Sequence, residues 1–371
     1  MSAMKGYATP AGTAAYQSRF GGPLAEGYFR QREGLWFSSI GIGSYLGEPD
    51  EETDRLYENA LREAVLLGVN VMDSAINYRA QRSERSFGRA LAGLFREGKV
   101  KREEIILCTK GGFIPFDGAT PKDPMDYFEK TYLETGILKS EDVAQGCHAM
   151  TPDYLEDQLE RSLANLGVET IDIYYLHNPE TQLAEHDHPE FLNRLRKAFE
   201  RLEKKVTEEK IRMYGTATWN GYRVPAEHAD YLSLEEMVLA AREVGGPGHH
   251  FKAVQLPINL AMPEAWILPN QRYGANLVPL LGLAEKLGVI VIGSASLLQA
   301  RLAGPLPEHL AGHFPKLSKS SQKSLQFARS VPGVTTALVG MKTGSHVREN
   351  LETAKVSPMN EAELFRMFQE K

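Results

Sequence analysis

Four residues with reactive side chains lie at or just beyond the ends of apolar segments. Asp73 follows the run VNVM, Lys110 follows EIILCT, and His177 follows IDIYYL. Tyr78 comes shortly after Asp73. In a barrel of parallel strands the carboxyl ends of all strands lie on one face, and active sites are built there. The spacing therefore predicts that a carboxylate, a phenol, an amine and an imidazole meet at one site.

These four side chains are suited to transferring a proton to an oxygen atom. Free tyrosine has a pKa of about 10, which is too high for ready proton exchange at neutral pH. A neighbouring Lys110 ammonium would stabilise the Tyr78 phenolate and lower that pKa. Asp73 would pair with the lysine and reduce the cost of burying its charge, and His177 could orient a carbonyl oxygen. Such a set can protonate an oxygen as it becomes an alkoxide, which is half of a carbonyl reduction. The hydride would have to come from a cofactor.

The same residue types also have ordinary structural uses. A strand-end aspartate often caps a turn, a lone tyrosine often packs in a core, and a histidine often satisfies a local hydrogen bond. As metal ligands the four fit poorly, because Lys110 would repel a cation, and we expect no metal ion. A metal-dependent barrel hydrolase or isomerase that uses Asp73 and His177 stays open as an alternative.

Eight short segments are predicted strands. Nearly all of their residues are apolar, which indicates burial on both faces of a sheet and therefore parallel pairing. The segments are SSIGIG (38–43), VNVMDS (69–74), EIILCTK (104–110), IDIYYLH (171–177), RMYGTAT (212–218), AVQLPIN (253–259), VIVIGSA (289–295) and TTALVG (335–340).

Helical patterns lie between these strands. The clearest covers 151–166, where Thr151 suits the N-cap, Pro152 suits the first helical position, leucines recur at helical spacing, and Gly167 is a stop. Further helices are predicted over 53–67, 83–96, 190–206, 233–243, 276–287, 318–330 and 346–354. Eight strand–helix repeats favour a closed (β/α)8 TIM barrel over an open doubly wound sheet. We expect one domain over residues 1–371, with residues 1–35 as an N-terminal arm.

Four long insertions interrupt this repeat. The longest, 111–150, follows Lys110 and contains several aromatic residues, and the others are 178–189, 219–232 and 260–275. All four follow predicted strand ends on the face that carries the four reactive residues. Long loops on one face usually serve a binding site, although they could also only shield the end of a barrel.

Composition excludes several classes of protein. A net charge of −6 provides no general attraction for nucleic acid or anionic membranes. Two cysteines cannot form a disulfide framework, and no segment has the ~20 apolar residues of a membrane span. The N-terminus lacks a signal-peptide pattern, so we expect a cytoplasmic protein. No GxGxxG follows the first strand, which argues against a Rossmann fold.

Three segments resemble those of the aldo-keto reductases: GVNVMDSAINYRAQRSERSFGRAL, LCTKGG and DIYYLHNPE. The resemblance runs from about residue 39 to residue 351. It implies a TIM barrel, a nicotinamide cofactor with preference for NADPH over NAD, and a small carbonyl or alcohol substrate. It also implies that Tyr78 is the general acid, that Lys110 tunes it, that Asp73 pairs with Lys110, and that His177 orients the carbonyl.

The resemblance implies a cofactor site along the remaining strand ends. In YGTATWNG, Ala217 and Thr218 replace a Ser-Asn pair that commonly holds the nicotinamide carboxamide, Gln255 is retained, and Ser294 replaces a stacking tyrosine. His346 stands where arginine or glutamine is frequent. The full predicted set is Gly43, Ser44, Asp73, Ala217, Thr218, Gln255, Ser294, Ala295, Leu297, Gly340, Lys342, Thr343, His346, Glu349 and Asn350.

The predicted substrate-binding residues are mostly aromatic: Tyr45, Tyr78, Phe113, His177 and Trp219. A non-catalytic, nicotinamide-binding regulatory subunit is a further alternative to an enzyme. The sequence leaves the substrate, the direction of reaction and the choice between monomer and homo-oligomer open.

Overall fold

Eight parallel strands close into a barrel in the computed structural model, which describes residues 3–369, excluding the side chain of residue 369. The barrel order is β3-β4-β5-β6-β7-β8-β11-β12, with β12 returning to β3, and two short antiparallel hairpins are added. The strands are β1 (Phe29–Arg32), β2 (Leu35–Ser38), β3 (Ile40–Gly43), β4 (Val71–Asp73), β5 (Ile106–Gly111), β6 (Ile171–His177), β7 (Ile211–Ala217), β8 (Phe251–Pro257), β9 (Gln271–Tyr273), β10 (Asn276–Val278), β11 (Ile290–Ser294) and β12 (Val334–Gly340). The predicted (β/α)8 TIM barrel is confirmed.

Helices cover the outside of the barrel. They are α1 (Pro10–Phe20), α2 (Glu51–Leu66), α3 (Arg82–Arg96), α4 (Pro124–Phe128), α5 (Pro152–Leu166), α6 (His188–Thr207), α7 (Leu234–Gly245), α8 (Glu264–Ile267), α9 (Leu280–Leu287), α10 (Glu308–Ala311), α11 (Ser320–Ser330), α12 (Gly344–Leu351) and α13 (Glu361–Gln369). Helix α5 ends at Gly167, which takes the left-handed conformation that stops a helix. Thr151 occupies the N-cap position of α5, but its side chain makes no capping hydrogen bond.

Alternation along each strand divides the core into two layers. Ile173 and Tyr175 of β6 point into the barrel, where they pack with residues of the other strands. Tyr174 and Leu176 point outward into the layer between the sheet and the helices. Because apolar side chains fill the barrel interior, a ligand site has to form at an end of the barrel.

The N-terminal segment differs from the predicted arm. It forms helix α1 and the hairpin of β1 and β2, and Leu35 and Phe37 of β2 pack with the side chains inside the barrel. The hairpin therefore covers the end opposite the predicted site. The sequence does not predict these four-residue strands, because neither is a long apolar run.

One predicted helix boundary is wrong, and one helix was not predicted. The predicted helix over 276–287 begins only at Leu280, because 276–278 pair with β9 in a hairpin. The C-terminal helix α13 was missed, although Leu364 and Met367 are buried in the core. Within residues 3–369, no helix is both long and apolar enough to span a membrane.

Candidate active site

The strand register brings the predicted residues to one end of the barrel. Gly340 pairs with Gly43 and Gly43 pairs with Asp73 across β12, β3 and β4. On the other side of the barrel, His177 pairs with Ala217. The carboxyl ends of these strands therefore form a ring around one opening.

Lys110 and Asp73 form a buried ion pair below this opening. The Lys110 ammonium donates to the Asp73 carboxylate and to the backbone carbonyl of Ser74, at 2.7 Å. The second oxygen of Asp73 accepts a hydrogen bond from the Gln255 amide, at 2.8 Å. Both charged side chains are almost fully buried, so each ion is stabilised by fixed partners instead of water.

Tyr78 lies directly against this ion pair. The Lys110 ammonium is 5.1 Å from the centre of the Tyr78 ring. The ring of Tyr45 stands edge-on to Tyr78 at 5.0 Å, and the ring of His177 does so at 5.8 Å. The four predicted catalytic residues are thus brought together.

The pKa of Tyr78 moves in the direction opposite to our prediction. Burial raises it, and the negative charge of Asp73 and the nearby Tyr45 add to that effect. The Lys110 ammonium lowers the pKa of Tyr78, as predicted, but it does not outweigh burial. Tyr78 is therefore held in its protonated form, which is the form that donates a proton.

Lys110 is charged, whereas His177 is neutral. Burial alone would lower the pKa of Lys110, but the Asp73 carboxylate and Tyr78 raise it above its usual value, so the amine stays charged. Burial lowers the pKa of His177 well below its usual value, and the positive Lys110 lowers it further. The imidazole is therefore neutral at physiological pH, and one of its nitrogens can donate a hydrogen bond.

The 111–150 insertion is anchored at His177. Its last part carries His148, which is buried and bonds the backbone carbonyl of His177 through Nε2, at 2.7 Å. The Gln182 side chain contacts His148 Nδ1 at 3.0 Å, and Phe113 stands edge-on to both histidines. Burial lowers the pKa of His148 to about 4, so this contact is made by a neutral ring whose Nε2 donates.

A cavity of about 490 Å³ opens above these residues. Most of the predicted site residues line it: Gly43, Ser44, Tyr45, Asp73, Tyr78, Phe113, His177, Ala217, Thr218, Trp219, Gln255, Ser294, Ala295, Leu297 and Gly340. Lys110 does not line the cavity, but it bonds Asp73, which does. The cavity also has lining residues that sequence reasoning missed: Leu46, Asn77, Asn178, Ser296, Gln299, Ala300, Leu338 and Val339.

Few features of the sequence pointed to these additional lining residues. Asn77 and Asn178 adjoin Tyr78 and His177 in sequence, and that adjacency was the available clue. Ser296, Gln299 and Ala300 belong to the loop after β11, whose path depends on unusual backbone angles. Leu298, Gln299 and Ala300 all have positive φ (45°, 52° and 71°), although none is glycine. Non-glycine residues rarely adopt such angles, and clusters of them are typical of functional loops.

Several buried polar atoms along the cavity wall lack partners. The hydroxyl of Thr218 and that of Ser296 are buried and have no hydrogen-bond partner within residues 3–369. Outside the cavity lining, Asn350 Oδ1 on α12 is also buried without a partner within those residues. Buried hydroxyl and amide groups normally have partners, so these atoms fit a bound polar molecule. Together with the Gln255 amide, the Thr218 and Ser296 hydroxyls would suit the polar groups of a nicotinamide cofactor.

The segment predicted to hold the adenosine phosphate lies outside the cavity itself. Thr343 caps α12 by accepting a hydrogen bond from the backbone N–H of His346, at 3.3 Å. Glu349 accepts a hydrogen bond from Ser321 of α11, at 2.9 Å. Lys342 and His346 are exposed, so their side chains are accessible to a phosphate at the start of α12.

No group of three or more His, Cys, Asp or Glu side chains in the described part of the chain is placed to hold a metal ion. The alternative of a metal-dependent hydrolase or isomerase therefore gains no support from a cluster of such ligands within residues 3–369.

Comparison with known proteins identifies the family. A family model described as the aldo/keto reductase family matches residues 39–237. YqkF of Bacillus subtilis, an uncharacterized oxidoreductase, is 24% identical over 346 residues, which are 89% of this chain and 91% of that protein. A putative voltage-gated potassium channel subunit beta of Schizosaccharomyces pombe is 25% identical over 213 residues, which are 57% of this chain and 50% of that protein. That match thus spans half of the relative's length.

Solved structures show the same fold. The aldo/keto reductase of Klebsiella pneumoniae in complex with NADP and acetate has a TM-score of 0.61 at 20% identity, and the alignment covers 93% of this chain and 95% of that one. The glycerol dehydrogenase of Gluconobacter oxydans has a TM-score of 0.63 at 18% identity, with the same coverage of both chains. Because the family model matches more than half of the chain, this protein belongs to the aldo/keto reductase family.

Proposed function

We propose that this protein is an NADPH-dependent oxidoreductase that reduces an aldehyde or ketone to an alcohol, or catalyses the reverse reaction. The observation that carries the proposal is the contact of the Lys110–Asp73 ion pair with Tyr78 at the floor of a cavity that His177 also lines. The proposal is supported by membership of the aldo/keto reductase family and by the NADP bound in the Klebsiella pneumoniae relative.

The proposed cofactor site has donors and acceptors where a nicotinamide would need them. The Gln255 amide nitrogen is held by Asp73, which leaves its carbonyl oxygen to accept a hydrogen bond from the nicotinamide carboxamide. The unpartnered Thr218 hydroxyl can bond the same group. When bound, the cofactor supplies the hydride.

Tyr78 then supplies the proton. His177 is neutral and donates a hydrogen bond to the substrate carbonyl, which orients the oxygen toward the phenol. Tyr78 donates its proton to that oxygen as it becomes an alkoxide. The Lys110 ammonium compensates the charge of the phenolate that forms, and Asp73 keeps the ammonium in place.

Replacement of the phenol tests this assignment. In Tyr78→Phe the ring packing against Tyr45 and His177 is kept but the donor is lost. We expect turnover to fall about 10³-fold or more with NADPH affinity nearly unchanged, since general acid catalysis contributes about 10²–10⁴-fold. Turnover is measured as NADPH consumption with a panel of simple aldehydes, and binding is measured by quenching of protein fluorescence. Full activity of this variant would refute the role of Tyr78.

The cofactor preference depends on the start of α12. Lys342 is exposed, and it precedes the Thr343-capped helix N-terminus, which favours an anion. We expect wild-type protein to bind NADPH more tightly than NADH, and Lys342→Ala to reduce that preference by about tenfold, the effect of one charge-assisted phosphate contact. Lys323→Ala, on neighbouring α11, is the control. Equal affinities for both cofactors in the wild-type protein would contradict this assignment.

A regulatory subunit is the second candidate because of the similarity to the putative channel subunit beta. That candidate predicts cofactor binding with no steady-state turnover of any carbonyl. The complete set of Asp73, Tyr78, Lys110 and His177 favours an enzyme.

A further inference from the structure

Glu180 is a buried carboxylate that joins the end of β6 to the chain leaving β7. It lies in the short 3-10 turn Pro179–Ala184, three residues beyond His177. One of its oxygens accepts hydrogen bonds from the backbone N–H groups of Trp219, Asn220 and Gly221, at 2.8, 3.3 and 3.5 Å. The segment 219–221 therefore folds around a single oxygen atom.

The environment of Glu180 is unusual for a carboxylate. The residue is only 5% exposed, and its second oxygen has no hydrogen-bond partner within residues 3–369. No cationic side chain within residues 3–369 is placed to pair with it, and Arg223, which bonds the Trp219 carbonyl, pairs with Glu264. Burial raises its pKa to about 7, against the opposing effect of the backbone donors. Burying a carboxylate without a cation is costly, and here the hydrogen bonds from the three backbone N–H groups offset part of that cost.

The segment that Glu180 holds forms part of the cavity wall. Ala217, Thr218 and Trp219 all line the cavity. The backbone carbonyl of Trp219 is held by Arg223 at 3.0 Å, so both sides of this peptide segment are fixed. Trp219 is 38% exposed. Its position therefore depends on the backbone and not on being enclosed by other side chains.

We propose that Glu180 is a positioning residue that sets where Thr218 and Trp219 stand in the cleft, and through them the affinity for the nicotinamide end of the cofactor and for the carbonyl substrate. The inference rests on the proposed reductase function for its kinetic consequences. Its structural consequence, the placement of Trp219, does not depend on that function. Because Glu180 would contact neither the cofactor nor the substrate, its removal should change the binding of these molecules more than the chemical step.

Two substitutions separate the hydrogen-bond acceptor from the charge. Glu180→Ala removes the acceptor and leaves three N–H groups unpaired, whereas Glu180→Gln keeps one oxygen that can accept from them. Glu227→Gln, an exposed glutamate in the same 219–232 insertion, is the matched control. The position of Trp219 is followed by acrylamide quenching, taken as the difference between each protein and its Trp219→Phe counterpart.

For Glu180→Ala we expect the quenching constant of Trp219 to rise at least about twofold. We expect KM for the carbonyl to rise at least about tenfold while kcat changes by less than about threefold, the pattern of lost ground-state binding. In Glu180→Gln, KM should stay within about threefold of the wild-type value, since a neutral acceptor replaces a charged one. The control should match wild type in every measurement.

Two results with Glu180→Ala would overturn the proposal. A folded Glu180→Ala protein with unchanged Trp219 quenching and unchanged KM would overturn it, as would a selective loss of kcat. If Glu180→Ala does not fold, amide hydrogen exchange in the wild-type protein decides: slower exchange at 219–221 than at the exposed residues 226 and 227 of the same insertion supports the inference, and equal exchange refutes it. If wild-type protein oxidises no NADPH with any carbonyl, the proposed reductase function fails, and the quenching and exchange measurements still judge the role of Glu180.

Discussion

At the scale of the residue, the proposed chemistry depends most on Lys110. Its ammonium contacts the Asp73 carboxylate, the Ser74 carbonyl and the face of the Tyr78 ring, and it is 1% exposed. It opposes the effect of burial on the pKa of Tyr78 and contributes to keeping His177 neutral. One buried charge thus affects both groups that would contact a carbonyl oxygen.

Loss of this charge should be visible in the pH dependence of the reaction. In Lys110→Met the pKa of Tyr78 should rise further, because the ammonium that lowers it is gone. Alcohol oxidation needs the phenolate, so its pH–rate profile should move to higher pH, and kcat for carbonyl reduction should fall about 10²-fold or more.

A double variant controls for stability. Breaking a buried ion pair on one side costs about 3–5 kcal/mol, so Lys110→Met should unfold at a lower temperature. Asp73→Asn combined with Lys110→Met removes the unpaired charge and should recover part of the stability but none of the activity. Recovery of activity in the double variant would show that Lys110 serves folding alone.

At the scale of elements, the 111–150 insertion is attached to the site by a close approach of two backbones. Gly112 has a φ of 144°, and a Cβ atom there would lie 2.7 Å from His148 Nε2 and 2.8 Å from the carbonyl oxygen of His177. Glycine at this position allows His148 to reach β6. The insertion thereby contributes Phe113 to the cavity and holds the strand end that carries His177.

Gly112→Ala should separate these groups. We expect the substitution to destabilise the fold by about 2–4 kcal/mol, from backbone strain plus the displaced hydrogen bond, and to reduce kcat because His177 shifts. Thermal unfolding and NADPH consumption measure the two effects. Gly118→Ala is the matched control, since Gly118 also has positive φ (76°) but has open space where a Cβ would be. Equal effects of both substitutions would show that strain alone, and not the contact with His148, matters.

At the scale of the whole molecule, buried ionisable groups make stability depend on pH. Burial raises the pKa of Glu180 to about 7, so the folded protein retains a proton that the unfolded chain loses at about pH 4.3. Stability from this group is therefore fully present below that pH and is lost as pH rises through about 7. His148 acts in the opposite sense. Burial lowers its pKa to about 4, so its contribution is present above about pH 6.5 and is lost as pH falls.

The difference between wild type and Glu180→Gln isolates the first effect. Tyr222, whose pKa is affected by Glu180, stays neutral from pH 4.5 to 8 because burial raises that pKa. We expect Glu180→Gln to gain stability relative to wild type as pH rises over that range, by up to about 3 kcal/mol, at 1.36 kcal/mol per pKa unit. Chemical denaturation at several pH values measures it, and a constant difference would contradict a raised pKa.

Strand ends and residue types determined much of this protein in advance. Apolar runs on nearly every residue are buried on both faces and pair in parallel, so eight of them separated by helical patterns specify a closed barrel, and its carboxyl ends bring Asp73, Tyr78, Lys110 and His177 together. That inference needs only local periodicity and the geometry of parallel sheets.

Contacts between distant segments were decided by tertiary structure alone. Local patterns do not show that His148 bonds the His177 carbonyl or that Glu180 holds the segment 219–221. They also do not show that Phe37 packs inside the barrel at the end opposite the site. They also do not show the direction of the pKa of Tyr78, because that pKa depends on how completely burial removes water from the phenol compared with one nearby charge. Desolvation and long-range packing belong to the assembled molecule, and for that reason only the three-dimensional structure shows them.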